Sequence, residues 1–249
     1  MILCFPMNVA PGMESGCGCG DTRLTAFAEV EMRTTTACIA GILAATFTSR
    51  TATGSFDPAF TVAVYNVAQL PRGTLARAEA LAAEIFNSAG IDLHWADATV
   101  SNQMDLLNDF SMTPATGCTQ RRHSESVRVE ILSHAPPGFA LQALGYALPC
   151  AERGVQVTIY ADRLEAVSQH TPAAFYRVLG HALAHEIGHV LLRSSTHENG
   201  GVMNRVWSRN DWQRAAVTVV PFTTNEARRM LQELRRTQMG HVLAAGNRR

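Results

Sequence analysis

The chain has 249 residues, of which 47% are hydrophobic and 17% charged, a balance typical of a globular protein with one sizeable domain or two small ones. This composition excludes wholesale disorder. The formal net charge is zero and no lysine- or arginine-rich block is present, which argues against a phosphate-binding surface. We therefore expect no nucleic-acid partner.

The first 54 residues differ from the remainder of the chain. Residues 1–31 contain the cluster GMESGCGCGD without hydrophobic periodicity, and we interpret them as an upstream extension or a disordered segment. Residues 32–54 begin with Met32 and Arg33, continue with an apolar run over residues 37–47, and end in small polar residues. This layout predicts a secretory signal peptide that starts at Met32, with an apolar run too short to span a bilayer. A disordered tail with a chance apolar patch is the alternative.

The predicted signal peptide implies a secreted protein, or one of the periplasm or cell envelope, without stable membrane insertion. Only two of the six cysteines, Cys118 and Cys150, lie beyond residue 54. An even pair in a chain destined for an oxidising compartment predicts one disulfide between them.

The first predicted elements form a strand–helix–strand unit. Residues 60–68 are rich in valine and aromatic residues, as in a buried strand, and residues 73–90 have helical apolar spacing with Gly90 as the stop. Residues 91–97 give a second strand. Residues 98–125 have no clear period, and we interpret them as a loop with one helical turn at most.

Three more strands are predicted at residues 126–134, 140–150 and 154–162, the second as an edge strand halted by Pro149. A long helix follows, with Thr171 as its N-cap and Pro172 as its first residue, and it extends to about Arg193, or roughly 33 Å. Two shorter helices are predicted at residues 208–216, capped by Ser208, and at residues 223–236. We expect a single domain over residues 55–249.

Within the long helix, residues 185–189 read HEIGH, the H-E-x-x-H pattern. His185 and His189 stand at i and i+4, so both imidazoles lie on one helical face and can meet a single ion at the roughly 2.0–2.1 Å of Zn–N bonds. Glu186 is placed to act as general base toward a water on that ion, and the resulting hydroxide attacks a polarised carbonyl. The pattern predicts one Zn²⁺ and a hydrolase.

This arrangement resembles the metzincin clan of zinc-dependent metallopeptidases, in which H-E-x-x-H is followed by x-x-G-x-x-H and then by a turn that carries a methionine beneath the metal. The match is partial. Leu192 stands at the glycine position and Ser195, a poor zinc ligand, at the third-ligand position. His197 comes two residues later, and GGVMN places Met203 where the methionine turn is expected.

A family of uncharacterised bacterial secreted proteins is also similar, with the pattern H-E-x-G-H-x-L-L, then H, G-x-M and W. The residues that fit it are His185, Glu186, His189, Leu191, Leu192, His197, Gly201, Met203 and Trp207. The resemblance implies an α/β (α+β) fold: a mixed, twisted sheet of about five strands packed on the active-site helix, with a small C-terminal helical subdomain. In place of the missing glycine, the segment SSTH is expected to reverse the chain.

The third zinc ligand is assigned to His197, because it is near in sequence and is followed by a flexible turn. Glu226 is the rival, and it would make the site resemble that of the gluzincins. However, Thr223 and Glu226 have the spacing of a capping box for the last helix, which ties the carboxylate to the backbone. Glu198 and Asp211 are further possibilities, although Asp211 suits the start of its own short helix.

The other notable residues have ordinary interpretations. His181 is expected in a structural or solvent-facing role rather than as a second metal ligand. Trp207 and Trp212 are expected in the core rather than in a substrate groove, and Tyr146 is a possible substrate contact on the edge strand. Four histidines without a motif partner are expected at the surface: His94, His123, His134 and His170.

The sequence thus predicts a secreted zinc-dependent metalloendopeptidase that acts on a peptide or protein substrate, with no oligomeric state indicated. The alternative from another class is a catalytically silent, zinc-stabilised binding domain. That alternative predicts a fourth protein ligand, such as Glu198 or His181, because purely structural zinc sites are closed by four protein side chains.

Overall fold

The computed structural model describes residues 58–97, 126–138, 143–151 and 155–246. The predictions made for residues 1–31, for the signal peptide at 32–54 and for the loop at 98–125 lie outside these described residues. So does Cys118. Cys150 is disulfide-bonded, but its pairing with Cys118 stays a prediction.

The described part of the chain contains a five-stranded mixed sheet. Its strands are β1 (Ala59–Asn66), β2 (Asp92–Asp97), β3 (Ser126–Leu132), β4 (Gly145–Ala147) and β5 (Val157–Tyr160), in the order β2-β1-β3-β5-β4. Neighbouring strands pair in parallel except β4, which runs antiparallel to β5 at the edge. The α/β class and the mixed sheet of about five strands are therefore confirmed.

Burial along the strands follows their position in the sheet. In β1 and β3 buried and half-buried residues alternate, so that Val62 and Val129 point into the core. All four residues of β5 are buried, because this strand lies between β3 and β4 and is covered on both faces. The predicted edge strand at 140–150 is indeed at the edge, but its paired part is only three residues long.

Five helices complete the described fold: α1 (Arg72–Ser88), α2 (Ala161–His170), α3 (Phe175–Leu192), α4 (Arg209–Val217) and α5 (Thr224–Gly246). Helix α1 joins the parallel strands β1 and β2, as the strand–helix–strand prediction requires. It stops before Gly90, whose φ of 74° is readily adopted only by glycine. No helix in the described ranges has the length and apolar character needed to cross a membrane.

Helix α3 carries the H-E-x-x-H pattern and is buried on every side from Val178 to Leu192. It packs along α1 and against the sheet, and α4 and α5 cover it from the other side. The approach to α1 is tight at Gly180, where a Cβ atom would stand 2.9 Å from the carbonyl oxygen of Ala78. A helix held from all sides is a rigid support for the side chains of this pattern.

The predicted start of this helix was wrong. Thr171 ends helix α2 in an extended conformation, with φ −135° and ψ 160°, and α3 begins only at Phe175 after the N-cap Ala174. The helix therefore has 18 residues, or about 27 Å, instead of the predicted 33 Å. A Thr-Pro pair satisfies the N-cap rule, but it also follows the end of a preceding helix, and the sequence did not distinguish the two.

Helix α2 itself was not predicted, and residues 161 and 162 were assigned to a strand that ends at Tyr160. The helix is short and mostly polar, with Leu164 and Val167 as its buried residues. Two apolar positions three residues apart are a weak periodic signal, which explains the omission.

The two helix starts nearest the C-terminus were predicted well. Ser208 caps α4: its hydroxyl accepts the N–H of Asp211, whose carboxylate accepts the N–H of Ser208. Thr223 and Glu226 form the same reciprocal pair at the start of α5. Helix α5 extends to Gly246, beyond the predicted end at residue 236.

Candidate metal centre

Helix α3 brings His185 and His189 to the same face, and the chain then reverses to deliver His197 beside them. The reversal starts at Arg193, which adopts the left-handed conformation with φ 48° and ψ 37°. The hydroxyl of Ser194 continues it by accepting the N–H of Thr196 at 3.2 Å. The turn thus begins one residue before the predicted SSTH segment, in a conformation that usually favours glycine.

The three histidines form a compact triangle of ring nitrogens. The Nε2 atom of His185 lies 3.1 Å from that of His189 and 3.2 Å from that of His197, and the third separation is 3.3 Å. Nitrogens bound to one tetrahedral zinc at about 2.05 Å stand about 3.3 Å apart. The triangle therefore fits the coordination sphere of a single zinc ion.

Hydrogen bonds at the other ring nitrogens fix two of the tautomers. Nδ1 of His185 donates to the carbonyl oxygen of Val202 at 2.8 Å, and Nδ1 of His189 donates to that of Ser194 at 2.9 Å. The proton of each neutral ring is therefore on Nδ1, and each Nε2 presents a lone pair. Two lone pairs 3.1 Å apart repel each other, and a cation between them removes the repulsion.

Burial also keeps the histidines neutral. Desolvation lowers the pKa of His189 and of His197 to about 4, and holds the pKa of His185 well below its usual range. The nearby Arg205 guanidinium further lowers the pKa of His197. Unprotonated imidazole is the form that binds metal ions, so all three rings are in the ligand state at neutral pH.

A tight turn supports the triangle from below. Gly200 and Gly201 have φ values of 109° and 63°, and the N–H of Asn204 donates to the carbonyl oxygen of Gly201 at 3.3 Å. Met203, inside this turn, is fully buried. Its Sδ atom is so near the helix that a Cβ atom on Gly188 would stand 2.7 Å from it. The turn thus packs directly under the helical residue that precedes His189.

Glu186 follows His185 on α3 and is fully buried. A buried carboxylate carries a large desolvation penalty, so its presence here in a fully buried helix calls for a chemical reason. The other residues from Val178 to Leu192 are apolar residues, glycines and the histidines His181, His185 and His189. Glu186 is therefore the one acidic side chain of this buried stretch.

The rival ligands are engaged elsewhere. The Glu226 carboxylate accepts the N–H of Thr223 at 2.8 Å, and Asp211 caps α4. Glu198 contacts the side chains of Thr223 and Asn225. None of the three acids belongs to the histidine triangle, which is the one cluster with metal-binding spacing that the described residues contain.

His181 has a structural role, although it is buried rather than solvent-facing. Its Nδ1 donates to the carbonyl oxygen of Arg177 at 2.7 Å, its Nε2 accepts the N–H of Val220 at 3.3 Å, and its ring meets Trp207 edge-on. Trp207 packs on Trp212 with 4.6 Å between ring centroids, and both are buried. The core interpretation of the two tryptophans is therefore confirmed.

Three of the histidines predicted at the surface, His94, His134 and His170, are exposed. His123 lies outside the described ranges. Tyr146 is half-buried on the edge strand β4, with its ring 6.4 Å from that of Tyr160. Its role as a substrate contact stays a prediction.

The sequence did not reveal the groups that orient the histidines. The carbonyl oxygens of Val202 and Ser194 belong to the backbone, so no residue type marks them. Gly188 carried a usable signal, because a glycine inside a buried helix indicates close packing against a neighbour. Here the neighbours are Met203 and Phe222.

No protein-family model matches the chain, and no curated protein matches it by sequence. Among solved structures, it is similar to a zinc-dependent peptidase from Methanocorpusculum labreanum at 14% identity and a TM-score of 0.46, over 68% of this chain and 99% of that one. An archaemetzincin from Methanopyrus kandleri matches at 15% identity and a TM-score of 0.42, over 72% and 97% of the two chains.

Metalloproteinase-II from Bacteroides fragilis matches at 13% identity and a TM-score of 0.39, over 72% of this chain and 54% of that one. At these identities and TM-scores the similarities carry no argument about function. The function is therefore inferred from the geometry of the site.

Proposed function

We propose that the chain is a zinc-dependent metallopeptidase in which His185, His189 and His197 hold one zinc ion and Glu186 is the general base. The observation that carries the proposal is the triangle of Nε2 atoms, 3.1–3.3 Å apart, two of which present lone pairs to each other. A bound zinc ion supplies Lewis acidity, which brings the pKa of a water molecule close to 7 and polarises a substrate carbonyl.

The other steps are assigned to groups of the protein. The carbonyl oxygens of Val202 and Ser194 hold the rings of His185 and His189 in the ligand tautomer. Glu186 takes the proton of the attacking water and passes it to the leaving amine. Glu186 is the one acidic side chain in the buried part of the helix that carries His185 and His189, which favours this role.

Three protein ligands also favour catalysis over a purely structural role. Structural zinc sites close with four protein side chains, whereas catalytic sites keep one position for water or substrate. In the described part of the chain, no fourth side chain joins the triangle. His181 and Glu198, the side chains that a silent zinc domain would recruit, are bonded to other groups.

Peptide cleavage by the full chain tests the proposal. We expect a mixed peptide substrate to be hydrolysed, a chelator to abolish hydrolysis and added zinc to restore it. Glu186→Gln should keep one zinc per chain and lose about 100- to 10,000-fold in turnover. Glu226→Gln is the matched control, since Glu226 is also buried but lies outside the triangle.

Two outcomes would count against this assignment. Wild-type turnover in the Glu186→Gln variant would show that another group is the base. A zinc-loaded wild-type protein that cleaves none of the peptides would favour the silent binding domain instead.

We also propose that the protein is exported by the segment at residues 32–54. The apolar run and the positive Arg33 before it support this. Mass spectrometry of the protein produced by its native host should find a mature N-terminus near residue 55, and a mature chain that starts at Met1 would exclude export by this route.

A further inference from the structure

The third ligand is held differently from the other two. His185 and His189 lie on a buried helix, and each Nδ1 is tied to a backbone carbonyl. His197 lies in a segment without regular secondary structure, and its buried Nδ1 has no hydrogen-bond partner among the described residues. The contacts made by its neighbours in the chain therefore contribute to its position.

Glu198, the next residue, is strongly anchored. Its carboxylate accepts a hydrogen bond from the Thr223 hydroxyl at 3.0 Å and another from the Asn225 amide at 2.6 Å, and lies 3.7 Å from the Arg229 guanidinium. All three partners are on the first turns of helix α5 or at its cap. A carboxylate at this end of a helix also interacts favourably with the helix dipole.

Thr223 connects this anchor to the backbone of α5. Its hydroxyl accepts the N–H of Glu226 as the N-cap and donates its proton to Glu198. The same segment also holds the methionine-bearing turn, because the carbonyl oxygen of Pro221 accepts the N–H of Val202 at 2.9 Å. Residues 221–223 thus fasten this loop at two points, Glu198 and Val202, which both follow His197 in the chain.

We propose that Glu198 is a positioning residue for the metal site: it keeps His197 in the ligand triangle by fastening its loop to the N-terminus of α5. Metal affinity then depends on the docking of α5, and metal binding in turn stabilises that docking. The inference rests on the zinc site proposed above.

Zinc affinity of the full chain, measured by competition with a chromophoric chelator, tests the inference. Glu198→Gln should raise the zinc dissociation constant about tenfold, the lower range of effects for groups that orient ligands. Glu233→Gln is the matched control: its carboxylate is 25% exposed against 30% for Glu198, and it pairs with Arg236 on the outside of α5. The control should stay within about twofold of wild type.

Two substitutions of Thr223 test whether its hydroxyl is needed. Thr223→Val, which lacks the hydroxyl, should weaken zinc binding to a similar degree, whereas Thr223→Ser should retain wild-type affinity. The double variant Glu198→Gln/Thr223→Val should bind zinc about as well as the weaker single variant, because both changes break one connection. Additive losses would show that the two residues act separately and would overturn the proposed connection.

The absorption spectrum of bound cobalt(II) distinguishes a positioning role of Glu198 from a purely structural one. The cobalt(II)-loaded Glu198→Gln protein should show weaker or shifted visible absorption, because its third ligand is displaced. An unchanged cobalt spectrum and zinc affinity, with only the thermal stability of the metal-free protein lowered, would overturn the positioning role. Failure of the folded wild type to bind zinc would instead refute the metal site itself, which is a separate result.

Discussion

His181 and His189 lie two turns apart on the same helix, and both are fully buried. Burial lowers the pKa of each to about 4, and each Nδ1 donates to a backbone carbonyl. They differ at Nε2, which accepts the N–H of Val220 in His181 but faces two other imidazoles in His189. Burial and a lowered pKa therefore do not identify a ligand, whereas the surroundings of the second nitrogen do.

The largest expected contrast between the two histidines is in zinc binding. His189→Ala should weaken zinc binding by about a hundredfold to a thousandfold, because the roughly 10–16 kcal/mol of a four-ligand zinc site corresponds to about 3–4 kcal/mol for each ligand. His181→Ala should bind zinc within a few-fold of wild type. Isothermal titration with zinc measures both, and equal losses in the two variants would remove the distinction.

For the free energy of unfolding we expect the opposite order, with the larger loss in His181→Ala. His181→Ala removes a packed ring and leaves the N–H of Val220 without its acceptor, which should lower the free energy of unfolding by about 2–4 kcal/mol. In metal-free protein, His189→Ala should cost less, because it also relieves the repulsion between the ring nitrogens. Urea unfolding in the presence of chelator measures both, and a more stable His181→Ala variant would contradict the structural role.

The pH dependence of stability gives a further test of the structural role of His181. Its pKa is about 4 in the folded protein, through desolvation, and 6.5 in the unfolded chain, so the unfolded state binds more protons between these values. Stability from this group is present above pH 6.5 and is lost as the pH falls toward 4, by about 3 kcal/mol in total.

Comparison of metal-free wild type with His181→Gln isolates this contribution, since the other buried histidines titrate in both proteins. The wild type should lose more stability between pH 7 and pH 4.5. Parallel stability curves for the two proteins would mean that His181 does not titrate as described.

The smallest expected effect concerns the packing beneath His189. Gly188→Ala would place a methyl group 2.7 Å from Met203 Sδ and 2.9 Å from Phe222, which should cost about 1–3 kcal/mol and weaken zinc binding by moving the turn that orients His185. Gly73→Ala on α1 is the control: nothing lies within 4 Å of its added Cβ, and it should be neutral or stabilising by up to about 1 kcal/mol. Equal melting temperatures for the two variants would contradict the tight contact at Gly188.

Several strands and helix starts could be predicted from the composition and periodicity of the sequence and from its capping residues. Valine and aromatic content predicted β1, alternating apolar residues predicted β3, and the capping residues predicted the starts of α4 and α5. The start of α3 was not readable, because Thr171 and Pro172 fit both the end of one helix and the start of the next. The left-handed Arg193 was also hidden, since a non-glycine residue in that conformation leaves no mark in the sequence.

In the site, too, some groups could be predicted from the sequence and others could not. The histidine ligand candidates were found because helical spacing and nearness in the chain are sequence properties. The groups that hold them are backbone carbonyls or come from distant parts of the chain, as Val202 does for His185 and Thr223 does for Glu198. Such contacts depend on tertiary packing and cannot be predicted from a single sequence.

The zinc content of the purified protein shows whether the three histidines form one zinc site. Plasma mass spectrometry of the purified full chain should find one zinc per wild-type chain, none in His197→Ala and one in Glu226→Ala. A folded wild type without zinc, or full zinc occupancy in His197→Ala, would contradict the three-histidine site.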